Sequence, residues 1–133
     1  MAALTIKLNL TSKNITTSPL NMFLSKVVSV GGDARVFRKV IAASEGEVFT
    51  NQLILDASAH GKCYILLHNL STVPAEIITI GLADANDDGA LATTNIALGS
   101  EEFAFYPWNS SLDVVADAAS GSPVLEVGLF EVS

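Results

Sequence analysis

The sequence predicts an all-β domain, a β-sandwich of the jelly-roll kind, and three observations carry that expectation. Where the apolar residues keep a clear period it is two, not 3.6, as in Leu4, Ile6, Leu8 and Leu10 alternating with Thr5, Lys7 and Asn9. Short β-branched and aromatic runs recur along the chain with Gly, Pro, Asn, Asp and Ser clusters between them, the spacing expected of a sandwich. At 133 residues the chain is long enough for one core and too short for two, so a single domain spanning 1–133 is expected.

Taken in order, Leu4 to Leu10 reads as a half-buried strand. Thr11 to Asn21 is rich in Ser, Thr and Asn and reads as flexible. Residues 1–21 are therefore a candidate arm that exchanges the first strand with a neighbouring subunit. Phe23 to Val30 and Ala34 to Ala42 read as two strands joined by a tight turn at Gly31-Gly32-Asp33, because glycine supplies the positive φ of such turns. Val48 to Leu55 follows as a strand, and Asp56 to His60 leaves room for one helical turn. The remaining strands are Cys63 to His68, Ile77 to Leu82, Glu102 to Tyr106, Leu112 to Ala116 and Val124 to Val132. Turn clusters separate them at Asn69 to Pro74, Asp84 to Gly89, Pro107 to Ser111 and Ser120 to Pro123.

Composition narrows the function. Half of the residues are hydrophobic and only 16% charged, against about 25% in an ordinary soluble protein. The longest apolar stretches run a handful of residues, such as Cys63 to Leu67, far short of the roughly 18 a membrane helix needs. Excess apolar surface on such a chain marks contact with other proteins, so a homo-oligomer is expected, with no membrane partner. The N-terminus has neither the basic nor the apolar region of a signal peptide. One cysteine, Cys63, rules out an intrachain disulfide and reads as a buried thiol.

Charge is unevenly placed. All seven basic residues lie in the first 62 positions beside four acids, a net of +3; the rest carries ten acids and no base. The overall −7 disfavours nucleic acid, and the Arg35, Arg38, Lys39 cluster splits between two strand faces, a poor groove for phosphates. The polarity motivates the expectation that the N-terminal half faces an acidic partner, in which case salt loosens the attachment.

Few groups point to chemistry. Asp84-Ala-Asn86-Asp87-Asp88-Gly89 fits the opening of a calcium loop, with Asp84, Asn86 and Asp88 as candidate ligands, because oxygens at alternate positions converge while glycine permits the bend. Position twelve is Asn95 where the bidentate Glu is needed, so a solvated acidic hairpin loop is the better reading. His60 and His68 do not share a face, and His68 is expected to satisfy its ring at a sheet edge. The adjacent Glu101 and Glu102 cannot form a carboxylate pair, and no nucleophile elbow or phosphate loop is present. No catalytic residue and no cofactor are expected. Phe103 and Phe105 share one face and read as core, leaving Tyr106 and Trp108 near the strand end as interface candidates together with Leu4, Ile6 and Leu8; an exposed Trp108 also admits stacking on a sugar.

The second half carries a more specific pattern. Lys62-Cys-Tyr-Ile-Leu-Leu-His-Asn69, Ile77-Ile-Thr-Ile-Gly-Leu82, Ile96 to Pro107 and Val124-Leu-Glu-Val-Gly-Leu-Phe-Glu131 resemble small virion structural proteins of tailed bacteriophages, with Gly99-Ser100-Glu101 where Pro-Gly-Glu is common. The resemblance implies a capsid decoration (cement) protein, a trimer bridging capsomers of the major capsid protein, located in the virion and assembled in a bacterial host cytoplasm. A tail or neck component is the alternative within the same class, and a carbohydrate- or calcium-binding β-sandwich module the alternative outside it.

Overall fold

The structure, a computed structural model, describes residues 2–13, 19–43, 52–83 and 93–133. Among these residues nine strands form: β1 (Ala2–Ser12), β2 (Leu20–Val40), β3 (Gln52–Leu55), β4 (Cys63–Asn69), β5 (Ile78–Ala83), β6 (Thr93–Leu98), β7 (Phe103–Trp108), β8 (Asp113–Ala118) and β9 (Val124–Val132). One 3-10 turn, Ala57–Ala59, sits where a helical turn is expected, capped by the Asp56 carboxylate accepting from Ser58 N. None of the described helices is long and apolar enough to cross a membrane.

The strands pair antiparallel in two sheets, ordered β1-β2-β9-β4-β7 and β3-β8-β5-β6. Beyond the β1–β2 and β5–β6 hairpins, each strand is followed by one in the opposite sheet. That wrapping is the jelly roll the sequence predicts.

Side-chain parity places the core between the sheets. Along β4, Cys63, Ile65, Leu67 and Asn69 are buried while Tyr64, Leu66 and His68 point out. Leu125, Val127 and Leu129 of β9 lie beside them, and Ile78, Ile80, Val114 and Ala116 close the core from the other sheet. Each large aliphatic side chain sealed here contributes about 1.5–3 kcal/mol.

Three expectations change. Gly31-Gly32-Asp33 is not a hairpin turn: β2 runs straight through it, pairing with β1 by its first half and β9 by its second, with a bulge between Val30 and Ala34. The glycines serve close approach instead. A Cβ on Gly31 would collide with Ser133, and one on Gly32 would sit 2.6 Å from the Glu131 carboxyl carbon. Second, the aromatic faces of β7 are reversed. Register pairs Phe103 with His68 and Phe105 with Leu66, both outward, and pairs Trp108 with the inward Cys63. Phe103 is 65% exposed and Trp108 only 4%, its Nε1 donating to Leu112 O at 3.0 Å. A period of two tells which residues share a face but not which face is inside. Third, β6 goes unread in the sequence; of the Val48 to Leu55 strand, Gln52–Leu55 forms β3, and 48–51 lie outside the described residues.

Asn69 ties one end of the sandwich together. It is fully buried, and its amide donates to Glu76 O at 2.9 Å and Leu98 O at 3.0 Å while its Oδ1 accepts from Ser71 N at 3.0 Å. Nearby, Glu101 N donates to Ser71 O at 3.1 Å, and Glu102 N closes the β6–β7 turn on Gly99 O at 3.1 Å. Replacing Asn69 by Leu strands the buried Leu98 O and the part-buried Glu76 O and Ser71 N, and an unsatisfied buried group costs about 1–3 kcal/mol. Urea denaturation of Asn69→Leu is expected to show a loss of about 3 kcal/mol, with the denaturant slope unchanged.

Candidate assembly surface

The β1–β2 hairpin is the part of the molecule the core does not absorb. β1 pairs with β2 from Ala2 opposite Val30 to Ser12 opposite Leu20, whereas β9 reaches only Val30 and Ala34 to Val40. Among the described residues, Leu20 to Val28 therefore have a partner strand on one side only, while Ser29 O accepts from Ser133 N at 3.2 Å. Cross-strand register gathers Leu4, Ile6, Leu8 and Leu10 with Val28, Lys26, Leu24 and Met22 on one face. At the base of the hairpin Val28 and Val30 are buried. Further out Leu8, Leu10, Met22 and Leu24 are 42%, 44%, 43% and 57% exposed. A two-stranded ribbon is marginal in water by itself, and this one spends apolar side chains on solvent.

A groove of about 540 Å³ lies between that apolar face and the outer face of β4 and β7. Leu4, Ile6, Leu8 and Leu24 line it from the hairpin, Leu66 and Phe105 from the sheet, and Lys7 and Lys26 also border it. The sheet wall is ordered by ring contacts: Tyr64 stacks on Phe105 at 5.9 Å, and His68 meets Phe103 edge-on at 6.1 Å. Phe103 follows directly on Glu101 and Glu102, both exposed. Val36 and Val40 extend the exposed apolar residues onto β2.

The expected site residues thus divide. Leu4, Ile6 and Leu8 lie on the groove. Tyr106 is half-buried against the core, and desolvation by burial pushes its phenol above the ordinary range. Trp108 is in the core, so it presents no ring to a sugar, and the carbohydrate reading loses its aromatic. Asp84, Asn86 and Asp88 lie outside the described residues. Among the described ones, no three His, Cys, Asp or Glu side chains converge as a metal site. His60 neighbours Glu131 at 3.8 Å and His68 neighbours Glu126 at 4.0 Å; β4 lies between β9 and β7, so His68 is not at a sheet edge. Arg35, Arg38 and Lys39 are engaged separately, with Asp33 at 3.2 Å, Glu126 at 3.2 Å and Leu53 O at 2.6 Å. Phe103, Phe105, Leu66 and Leu24 were not expected at a surface. In continuous apolar runs such as Met22 to Leu24, alternation carries no signal of facing.

No protein-family model matches the chain, and no curated protein matches it. Among solved structures, the fold is similar to a chain from the work titled "Bacillus endospore appendages form a novel family of disulfide-linked pili", with a TM-score of 0.51 and 14% identity, covering 76% of this chain and 87% of that one. At that identity the likeness is one of fold. The neighbour is a structural pilus protein, not a tailed-phage one.

Cys63, the single thiol, is fully buried beside Trp108 in the register and donates weakly to Gly61 O at 3.3 Å. Burial first, then the negative charges of Glu131 and Asp33, push its pKa from 9.0 up to about 11. A raised thiol pKa favours the protonated folded state, so this contribution to stability is full below pH 9.0 and is lost as pH rises through about 11. Thiol reagents at neutral pH are expected to leave Cys63 unmodified until denaturant is added. Labelling of the native chain at the rate of a free thiol contradicts the buried placement.

Proposed function

We propose that this chain is a structural subunit whose working form is an assembly of its own copies, with no catalytic step. The observation that carries this reading is the apolar face of the β1–β2 hairpin, left in solvent above an equally apolar sheet face. The fold likeness to a pilus protein supports a structural role.

A second reading, the capsid cement trimer seated on a major capsid protein in the virion, rests on the resemblance of the stretch from Lys62 onward to phage proteins. The two differ in what the pure chain does. A self-assembling subunit grows with concentration without any shell, whereas a cement protein stops at its trimer until it meets the capsid lattice.

Light scattering and negative-stain microscopy over a concentration series separate them. The pure chain is expected to grow into larger species as concentration rises. Leu24→Glu with Phe105→Glu is expected to raise the apparent dissociation constant about tenfold or more, because each buried large apolar side chain is worth ~1.5–3 kcal/mol. Leu24 is 57% exposed, whereas Phe105 is 36% exposed and stacks on Tyr64, so a modest fall in the thermal midpoint is expected from the lost ring contact and the dissociation constant is the deciding readout. A wild-type chain that stays monomeric at every concentration contradicts self-assembly.

A further inference from the structure

We infer that the open edge of β2, from Leu20 to Val28, pairs antiparallel with the same edge of a second copy about a two-fold axis, fusing two hairpins into one four-stranded sheet. The inference rests on the self-assembly reading and specifies its first contact. The backbone carries it. Ser29 O accepts from Ser133 N at 3.2 Å on the β9 side of β2. Backbone groups of successive residues in an antiparallel strand alternate sides, so Asn21, Phe23, Ser25 and Val27 turn their N–H and C=O groups to that same side, past the end of β9. Asn21 to Val27 are all exposed, and among the described residues no strand pairs with them there. Natural sheet edges are commonly closed by proline, a bulge or short length. This one has no proline from Leu20 to Val28 and keeps an unbroken register with β1.

A second copy fits because such an edge is self-complementary: about a two-fold axis each N–H meets the other copy's C=O. An axis through Leu24 uses the whole run, setting Leu20 opposite the second copy's Val28 and Phe23 opposite its Ser25. Opposed positions then have the same parity, so Leu20, Met22, Leu24 and Val28 of both copies share one face. Lys26 falls opposite the second copy's Met22, which keeps the two Lys26 side chains apart. The outer edge of β1 is the hairpin's other open edge among the described residues. Full overlap of Ala2–Ser12 with itself, however, sets Lys7 directly opposite Lys7, a destabilising like-charge pair. Charge therefore favours the β2 edge. The contact closes on itself, so growth beyond a dimer takes a second surface, and Phe103 and Phe105 on β7 stay free for it.

The experiment uses full-length Met22→Cys and Leu24→Cys chains, alone and mixed, oxidised mildly across a concentration series, with Cys63 protected by burial. Each chain has a single accessible thiol, so every disulfide is between copies. The inference expects disulfides among these two variants in most chains. Leu8→Cys should link little, because the pairing holds it three strand spacings from its copy, about 14 Å and beyond disulfide reach. Ser25→Pro removes a donor from the open edge and none from the β1–β2 ladder, and is expected to raise the dimer dissociation constant roughly tenfold. Leu8→Cys linking as readily overturns the inference in favour of hairpins packed face to face. An unchanged constant in Ser25→Pro overturns the backbone pairing. Oligomers by light scattering with no disulfide at either β2 position overturn the inference while leaving self-assembly standing. A monomer in both assays overturns both.

Discussion

The parity of β4 sets what the rest of the molecule must do. Once Ile65 and Leu67 turn inward to meet Ile78, Ile80 and Val114, the two-residue period obliges Tyr64, Leu66 and His68 to face out. Register then carries the same decision to β7, where Phe103 and Phe105 follow them outward while Tyr106 and Trp108 turn in. A strand in a sandwich usually gives its outer face to polar residues. Here that face carries exposed Phe103 and Phe105, the surface on which the proposed self-assembly rests. The hairpin is the chain's own partial cover: it lies across one side of the groove and leaves Phe103 and Leu24 in solvent.

The bulge between Val30 and Ala34 is what makes that cover possible. Without the two glycines, β2 could not pass so close to the C-terminal residues Glu131 and Ser133. The strand continues beyond the reach of β9, and its first half is free to serve β1 alone. A sheet edge of this kind, long and apolar with unpaired backbone groups, is ordinarily suppressed in monomeric proteins by charge, proline or short length. Its persistence from Leu20 to Val28, interrupted by Asn21, Ser25 and Lys26, is what the proposed self-assembly draws on. Apolar burial outweighs charge in strength. Exposed ion pairs contribute about 0–1 kcal/mol each, less than one buried leucine.

The jelly roll, the extent of β9, the turn at Asp56 and the bulk of β4, β5 and β8 were legible, because alternating runs and turn clusters report local pairing directly. Three things were not. The path of β2 through Gly31 and Gly32 looks like a turn from local chemistry, and only the C-terminal strand beside it reveals why glycine is needed. The facing of Phe103 and Phe105 depends on which of two equivalent registers the core accepts, a tertiary choice. Asn69 reads as a turn residue, while its role as a buried clamp among Ser71, Glu76 and Leu98 needs the β4–β5 connection brought against the end of β6. Of the surface residues, Leu4, Ile6 and Leu8 were readable from simple alternation; the sheet wall they confront was not.

Backbone hydrogen exchange across Leu20 to Val28, compared at low and high protein concentration, tests the central claim most directly. These amides belong to a hairpin paired on one side and exposed on its faces, so in dilute solution they should exchange much faster than those of β4 and β9. If copies of the chain cover the hairpin, their exchange slows as concentration rises while the core strands stay unchanged. Equal exchange of the hairpin at both concentrations, with β4 and β9 still protected, contradicts an assembly built on this surface.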